Sequence, residues 1–136
     1  VLATELSKPA TAAATHNATA NHIGNLELAR LSAAEMSQAM AGDRPFRRLS
    51  ALKEPLSSFE FETLLVDPPR AGLDSDTLGL ARGFARILYI SCNPKSLIEN
   101  LAELSETHSI EALAFFDQFP YTEHLESGVI LKRRPI

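Results

Sequence analysis

The sequence predicts an α/β fold built on a doubly wound parallel sheet, and two observations predict it. Short apolar runs alternate along the chain with segments of helical character, which is the pattern of a parallel sheet with helices on both faces. The runs also read as continuous apolar stretches, as strands buried on both faces do; Leu64-Leu65-Val66 and Ile87-Leu88-Tyr89-Ile90 are the clearest.

The elements follow in order. Val1 to Glu5 is a short apolar strand ending in a carboxylate. Ser7-Lys8-Pro9 then has helix-start chemistry, because proline suits the first helical turn. Alanines at 10, 12, 13, 14, 18 and 20 carry that helix to about Asn21 and give it a slim face able to lie close to a sheet. Gly24-Asn25 turns the chain into a brief strand over Leu26, Leu28 and Arg30. Ser32-Ala33-Ala34-Glu35 is a capping box opening a second helix to about Met40, which Gly42 ends. Residues 43–60 hold Pro45, Pro55 and three arginines without a clear period, and read as a long surface connection.

Thr63 to Val66 is the next strand; it stops at Asp67-Pro68-Pro69-Arg70, since two prolines cannot join a central ladder. Ser75 to Arg82 forms a short helix. Arg86 to Ser91 repeats the design, followed by Cys92-Asn93-Pro94 and a helix to about Ser105. Ile110 to Asp117 and Gly128 to Arg133 are two further strands, separated by a loop from Phe119 to Ser127. In open α/β sheets ligands sit beyond the carboxyl ends of the strands. Those ends carry Glu5, Asp67 and Cys92.

Composition narrows the function classes. The 136 residues, 45% of them hydrophobic, are one domain's worth of chain. A single cysteine rules out intrachain disulfides and multi-cysteine metal sites. His16, His22 and His108 fall on helix or loop surfaces and form no metal-ligand cluster with it, so no metal is expected. No apolar run approaches the roughly 20 residues that span a bilayer, and no secretory signal pattern is present, so a cytoplasmic chain is expected. Thirteen Lys and Arg against 17 Asp and Glu give a net charge of −4, which argues against holding nucleic acid by bulk electrostatics. A specific RNA site on an acidic domain stays allowed.

The strand-end residues have competing readings. A lone cysteine is most often a small buried apolar residue. Cys92, however, follows a buried strand and precedes Asn93, a good N-cap, and Pro94, a good first helical residue. A helix N-terminus favours negative charge, which suits a thiolate nucleophile. Asp67 is either a backbone-binding carboxylate or a chemical one; two consecutive prolines stiffen the loop that holds it at the strand mouth. Glu126 lies in the loop Phe119-Pro120-Tyr121-Thr122-Glu123-His124-Leu125-Glu126, where a solvated carboxylate is the ordinary reading.

Three ordered segments join these pieces. Leu65-Val66-Asp67-Pro68-Pro69-Arg70-Ala71-Gly72-Leu73-Asp74, Ile87-Leu88-Tyr89-Ile90-Ser91-Cys92-Asn93-Pro94, and Phe116-Asp117-Gln118-Phe119-Pro120-Tyr121-Thr122 with His124 and Glu126 resemble the RNA uracil-5-methyltransferases. The resemblance is closest to the tRNA branch that makes the T-loop 5-methyluridine, and it is collinear over nearly the whole chain. The related rRNA branch differs around Gln118 and Tyr121. What the resemblance implies is a class I, Rossmann-like methyltransferase fold with S-adenosylmethionine as methyl donor and tRNA as substrate. It makes Cys92 the nucleophile that adds to C6 of the uracil, and Glu126 the general base that removes the C5 proton. Glu5 and Asp67 match cofactor-binding positions, and the target base must leave its stack to be reached. It further implies that 1–136 is the C-terminal part of one catalytic domain, lacking the family's first strand, its glycine-rich loop and a preceding RNA-binding region. The missing strand would lie between those ending at Glu5 and Asp67. Such a fragment is expected to be inactive alone; a non-catalytic truncated product that binds RNA or a partner is the other reading.

Overall fold

The computed structural model describes residues 1–135. They form two compact units, Val1–Glu60 and Phe61–Ile136. In the first, β1 (Leu2–Thr4) pairs in parallel with β2 (Glu27–Ala29), with α1 (Lys8–Ala20) between them and α2 (Ala33–Ala41) after them. The sheet of this unit has these two strands alone among the described residues.

Its helices start and stop for local reasons. Ser7 caps α1, its hydroxyl accepting from the amide of Ala10. α1 ends at Ala20 with Asn21 as its cap, close to the expected end, and His22 takes the left-handed conformation (φ 55°). The amides of His22 and Ile23 bond the carbonyls of Thr19 and Ala18, which closes the terminus before the glycine is reached. The capping box of α2 is complete: the Ser32 amide donates to Glu35 Oε2 at 2.9 Å and the Glu35 amide to Ser32 Oγ at 3.1 Å. The Ser32 amide, followed by the paired Arg48 guanidinium, holds the Glu35 carboxyl below its usual range, although desolvation opposes this. Residues 43–60, expected without structure, contain two 3₁₀ segments, Arg47–Ala51 and Leu56–Ser58. Pro55 precedes the second, and its carbonyl accepts from the Ser58 amide to close that turn.

The second unit contains β3 (Thr63–Val66), α3 (Ser75–Ala81), β4 (Arg86–Ser91), α4 (Pro94–Leu104), β5 (His108–Phe116) and β6 (Glu126–Arg133). Strand order is β3-β4-β6-β5. β3 and β4 are parallel, as expected, but β6 runs antiparallel to both β4 and β5. The sheet is therefore mixed, not parallel throughout. Residues 117–125 contain no helix to carry a crossover, so the chain reverses on leaving β5 and returns between β5 and β4.

The core sits on one face of this sheet. Ile87 and Tyr89 of β4, with Val129 and Leu131 of β6, pack against Leu78 and Ala81 of α3 and Leu97 and Leu104 of α4. Leu64 and Val66 of β3 join them. Side chains alternate across a strand, so the opposite face carries Leu65, Ile90 and Phe116, all exposed. Within this unit the expected cover on both faces is absent among the described residues.

His108 is a second correction. It is buried at the start of β5, not at the surface, and the strand begins two residues earlier than its apolar run suggests. Its Nε2 donates to the Phe84 carbonyl at 3.0 Å, and its Nδ1 meets the Thr107 hydroxyl at 2.8 Å. With both nitrogens partnered, an imidazole is acceptable in a core.

Candidate functional site

Three of the four predicted residues lie at one end of the mixed sheet. Asp67 follows the last residue of β3, Cys92 follows the last residue of β4, and Glu126 opens β6. Because β3 and β4 are parallel and β6 antiparallel, two carboxyl ends and one amino end meet there. Glu126 thus belongs to a strand and is half-buried, not part of the preceding loop.

The β4–β6 ladder ends next to Cys92 and Glu126. Its terminal pair is Ser91 with Ser127. Cys92 follows the end of β4, and Glu126, one residue before Ser127, pairs with Phe116 of β5. The two residues thus reach the same end of the sheet although 34 residues separate them in sequence.

The backbone around Cys92 is fixed on both sides. Ser91 is buried, and its Oγ accepts from the Asn93 amide at 3.1 Å. Asn93 caps α4 through Oδ1, which accepts from the Lys95 amide at 3.2 Å, and its Nδ2 donates to the Arg70 carbonyl at 2.7 Å. Ser96 Oγ donates to the same carbonyl at 3.0 Å. Cys92 itself is partly exposed.

The loop carrying Asp67 is anchored further along by a buried polar network. Asn100 Oδ1 on α4 accepts from the Leu73 amide at 2.8 Å and from the Tyr89 hydroxyl at 2.7 Å, while Nδ2 donates to the Leu73 carbonyl at 3.3 Å. Burial pushes the Tyr89 phenol up to about 12, the bond recorded to Leu73 acting the other way. Gly72 at φ +81° passes so close that a Cβ there would stand 2.6 Å from Asn100 Oδ1. A mid-helix asparagine normally reads as solvent-facing, and nothing in the sequence marked this one.

Arg70 and His124 form a second contact invisible to sequence reading. Arg70 Nη1 donates to His124 Nδ1 at 3.2 Å, tying the loop after β3 to the loop before β6. The His124 ring also meets Phe119 edge-on, with centroids 6.2 Å apart.

The carboxylates are available as acceptors. Asp67 is exposed and makes no side-chain hydrogen bond or ion pair among the described residues. Glu5, at the end of β1 in the first unit, accepts from the Ser7 amide through Oε1 at 2.6 Å. Each therefore keeps oxygen lone pairs suited to the hydroxyl or amine donors of a nucleoside ligand. A cavity of about 820 Å³ within the first unit, lined by Met40, Arg44, Phe46, Lys53 and neighbours, contains none of the four residues. Among the described residues no three His, Cys, Asp or Glu side chains group as for a metal ion, and no helix is long and apolar enough to cross a membrane.

The fold and its strand ends define a class: an α/β domain with a cysteine after one parallel strand and carboxylates at the adjoining strand ends. Within that class the chain belongs to the tRNA (uracil-5-)-methyltransferase family, whose model matches residues 1–134. A tRNA/tmRNA (uracil-C(5))-methyltransferase of Shigella flexneri serotype 5b is 56% identical over 131 residues, 96% of this chain and 35% of the relative. Its counterpart in Pseudomonas entomophila is 58% identical over 134 residues, 98% of this chain and 37% of the relative. The chain thus spans about a third of the length of these relatives. Among solved structures, the Pyrococcus abyssi tRNA (uracil-54, C5)-methyltransferase in complex with S-adenosyl-L-homocysteine matches with a TM-score of 0.71 and 25% identity, over 96% of this chain and 28% of that one. The fold is accordingly part of a methyltransferase fold.

Proposed function

We propose that this chain serves as part of the catalytic domain of an S-adenosylmethionine-dependent enzyme that methylates C5 of the T-loop uridine of tRNA in the cytoplasm. The observation that supports the reading is the β4–β6 ladder, whose last pair, Ser91 and Ser127, directly adjoins Cys92 and Glu126 in the chain. Family membership and the names of the relatives supply the substrate class.

The residue types fit the chemistry. C5 of uracil is a weak nucleophile. The Cys92 thiolate adds to C6, forming the S–C6 bond and moving the C5–C6 π electrons toward the O4 enolate, so that C5 becomes the attacking carbon. When bound, S-adenosylmethionine would supply the methyl group; Asp67 and, separately, Glu5 each offer carboxylate oxygens that would accept its hydroxyl or amine hydrogens. Glu126 then takes the C5 proton, the double bond re-forms, and the C6–S bond breaks to return the thiolate. A thiol and a base acting in succession on adjacent ring carbons need to reach one ring, and Cys92 and Glu126 both stand at the sheet end closed by the Ser91–Ser127 pair.

The test exchanges these 136 residues for the matching segment of the Shigella flexneri relative. That chimaera should methylate a T-arm hairpin with labelled S-adenosylmethionine, and the 136-residue chain alone should not. Cys92→Ala should abolish turnover. Glu126→Gln should stop turnover while a denaturation-resistant protein–RNA adduct accumulates. A Cys92→Ala chimaera that still methylates would sink the mechanism.

A further inference from the structure

The loop between β5 and β6 holds a residue whose conformation nothing within the chain explains. Phe119-Pro120-Tyr121-Thr122 is a turn closed by the Thr122 amide, which donates to the Phe119 carbonyl at 3.2 Å, and the Thr122 hydroxyl donates to the same oxygen at 2.7 Å. Proline at the second position and φ +65° at the third are the marks of a type II turn, where glycine or asparagine belongs. A bulky L residue is disfavoured in that conformation. Tyr121 nevertheless occupies it.

No internal contact offsets this. The Tyr121 side chain is fully exposed, and its hydroxyl makes no hydrogen bond among the described residues. The rest of the loop is tied down: the His124 amide donates to Thr122 Oγ1 at 3.2 Å, and the His124 ring is held by Arg70. The loop thus has a fixed base beside Glu126 and a tip from which a rigid aromatic ring projects into solvent. Strained residues cluster where a ligand makes use of the strain.

We infer that Tyr121 is an RNA-contact residue whose ring stacks on a nucleobase next to the target uridine. Turning a base out of its stack exposes the faces of its neighbours, and an aromatic side chain is the usual replacement partner in single-stranded loops. A ring at the end of a stiff turn is already oriented, so little freedom is lost when the base arrives. This inference rests on the proposed methylation of an RNA loop.

Two quantities that normally move together should separate. In the chimaera, Tyr121→Gly relieves the backbone and should raise the melting temperature, while the KM for a T-arm hairpin rises about tenfold through loss of stacking. Tyr121→Asn, which accepts the same backbone angles without a ring, should show the same KM. Tyr121→Phe, which keeps the ring, should recover KM to within about threefold, since stacking uses the π-face. A glycine or asparagine variant with KM within about twofold of the parent overturns the inference, because one lost stacking contact costs more than that. A parent chimaera that does not methylate overturns the proposed function and takes this inference with it; normal turnover with unmoved KM removes this inference alone.

Discussion

Replacing Gly72 by alanine tests whether the polar network on α4 holds the loop after β3 in place. Gly72 sits at φ +81°, and an added Cβ would lie 2.6 Å from Asn100 Oδ1, 3.1 Å from Ser96 Cβ and 3.4 Å from Asn100 Cγ. The left-handed conformation costs an alanine about 1–2 kcal/mol. The reduced freedom of the unfolded chain returns about 0.4–1 kcal/mol. The larger effect is on Asn100, whose Oδ1 must retreat from a position where it accepts from Leu73 and Tyr89. Each buried group left without its partner costs about 1–3 kcal/mol. With one or both bonds lost the sum is roughly 1–8 kcal/mol, a large share of the 5–15 kcal/mol that stabilises a typical domain. The chain has no tryptophan, and both tyrosines lie in the second unit, so tyrosine fluorescence in urea reports on that unit alone. A loss below about 1 kcal/mol would refute the reasoning, since it would fall under the backbone penalty by itself. Asn100→Ala in the same chain sharpens the test. Removing the obstructing amide should make Gly72→Ala less costly there than in the parent, giving a coupling energy between the two sites.

Two further outcomes follow from buried polar groups. Ser127 is fully buried and its Oγ has no hydrogen-bond partner, so Ser127→Ala should leave the melting temperature unchanged or raise it, whereas an ordinary core truncation lowers it. Burial pushes the Tyr89 phenol up from its ordinary 10.0 to about 12. Its folded pKa is raised, so its contribution is intact below 10.0 and is lost as pH rises from there toward 12. Tyr89→Phe should lower stability at neutral pH by removing a bond to Asn100 and should flatten this alkaline decline, followed by circular dichroism in urea; an unchanged alkaline slope would count against it.

What the sequence revealed, and what it hid, divides along a physical line. Thr63–Val66, Arg86–Ser91 and the Asn93-Pro94 start of α4 were legible because apolar runs, prolines and caps are local signals. The direction of β6 was not. A strand's side-chain pattern is the same whether its neighbour runs with it or against it, and only the lack of a helix between Phe116 and Glu126 hinted at reversal. For the same reason the positions of Asp67 and Cys92 at strand ends could be read, while the arrival of Glu126 at the same end of the sheet could not, since it depends on the direction of β6. Asn100 was hidden because its partners, Leu73 and Tyr89, come from other elements. His108 was misplaced because a histidine beside a polar turn resembles a surface residue until the Phe84 carbonyl is found within reach.

The antiparallel β6 also determines where the chain tolerates changes of length. An extra residue within 117–125 lengthens a loop whose closure cost grows only slowly with size, and leaves the ladder beyond it intact. An extra residue inside β6 is another matter. It would shift the N-terminal part of the strand by one position against β4, turn each displaced side chain to the other face, and set Gly128 opposite Ser91 in place of Ser127. Insertions and deletions among homologous sequences should therefore collect in the loop and stop at Glu126.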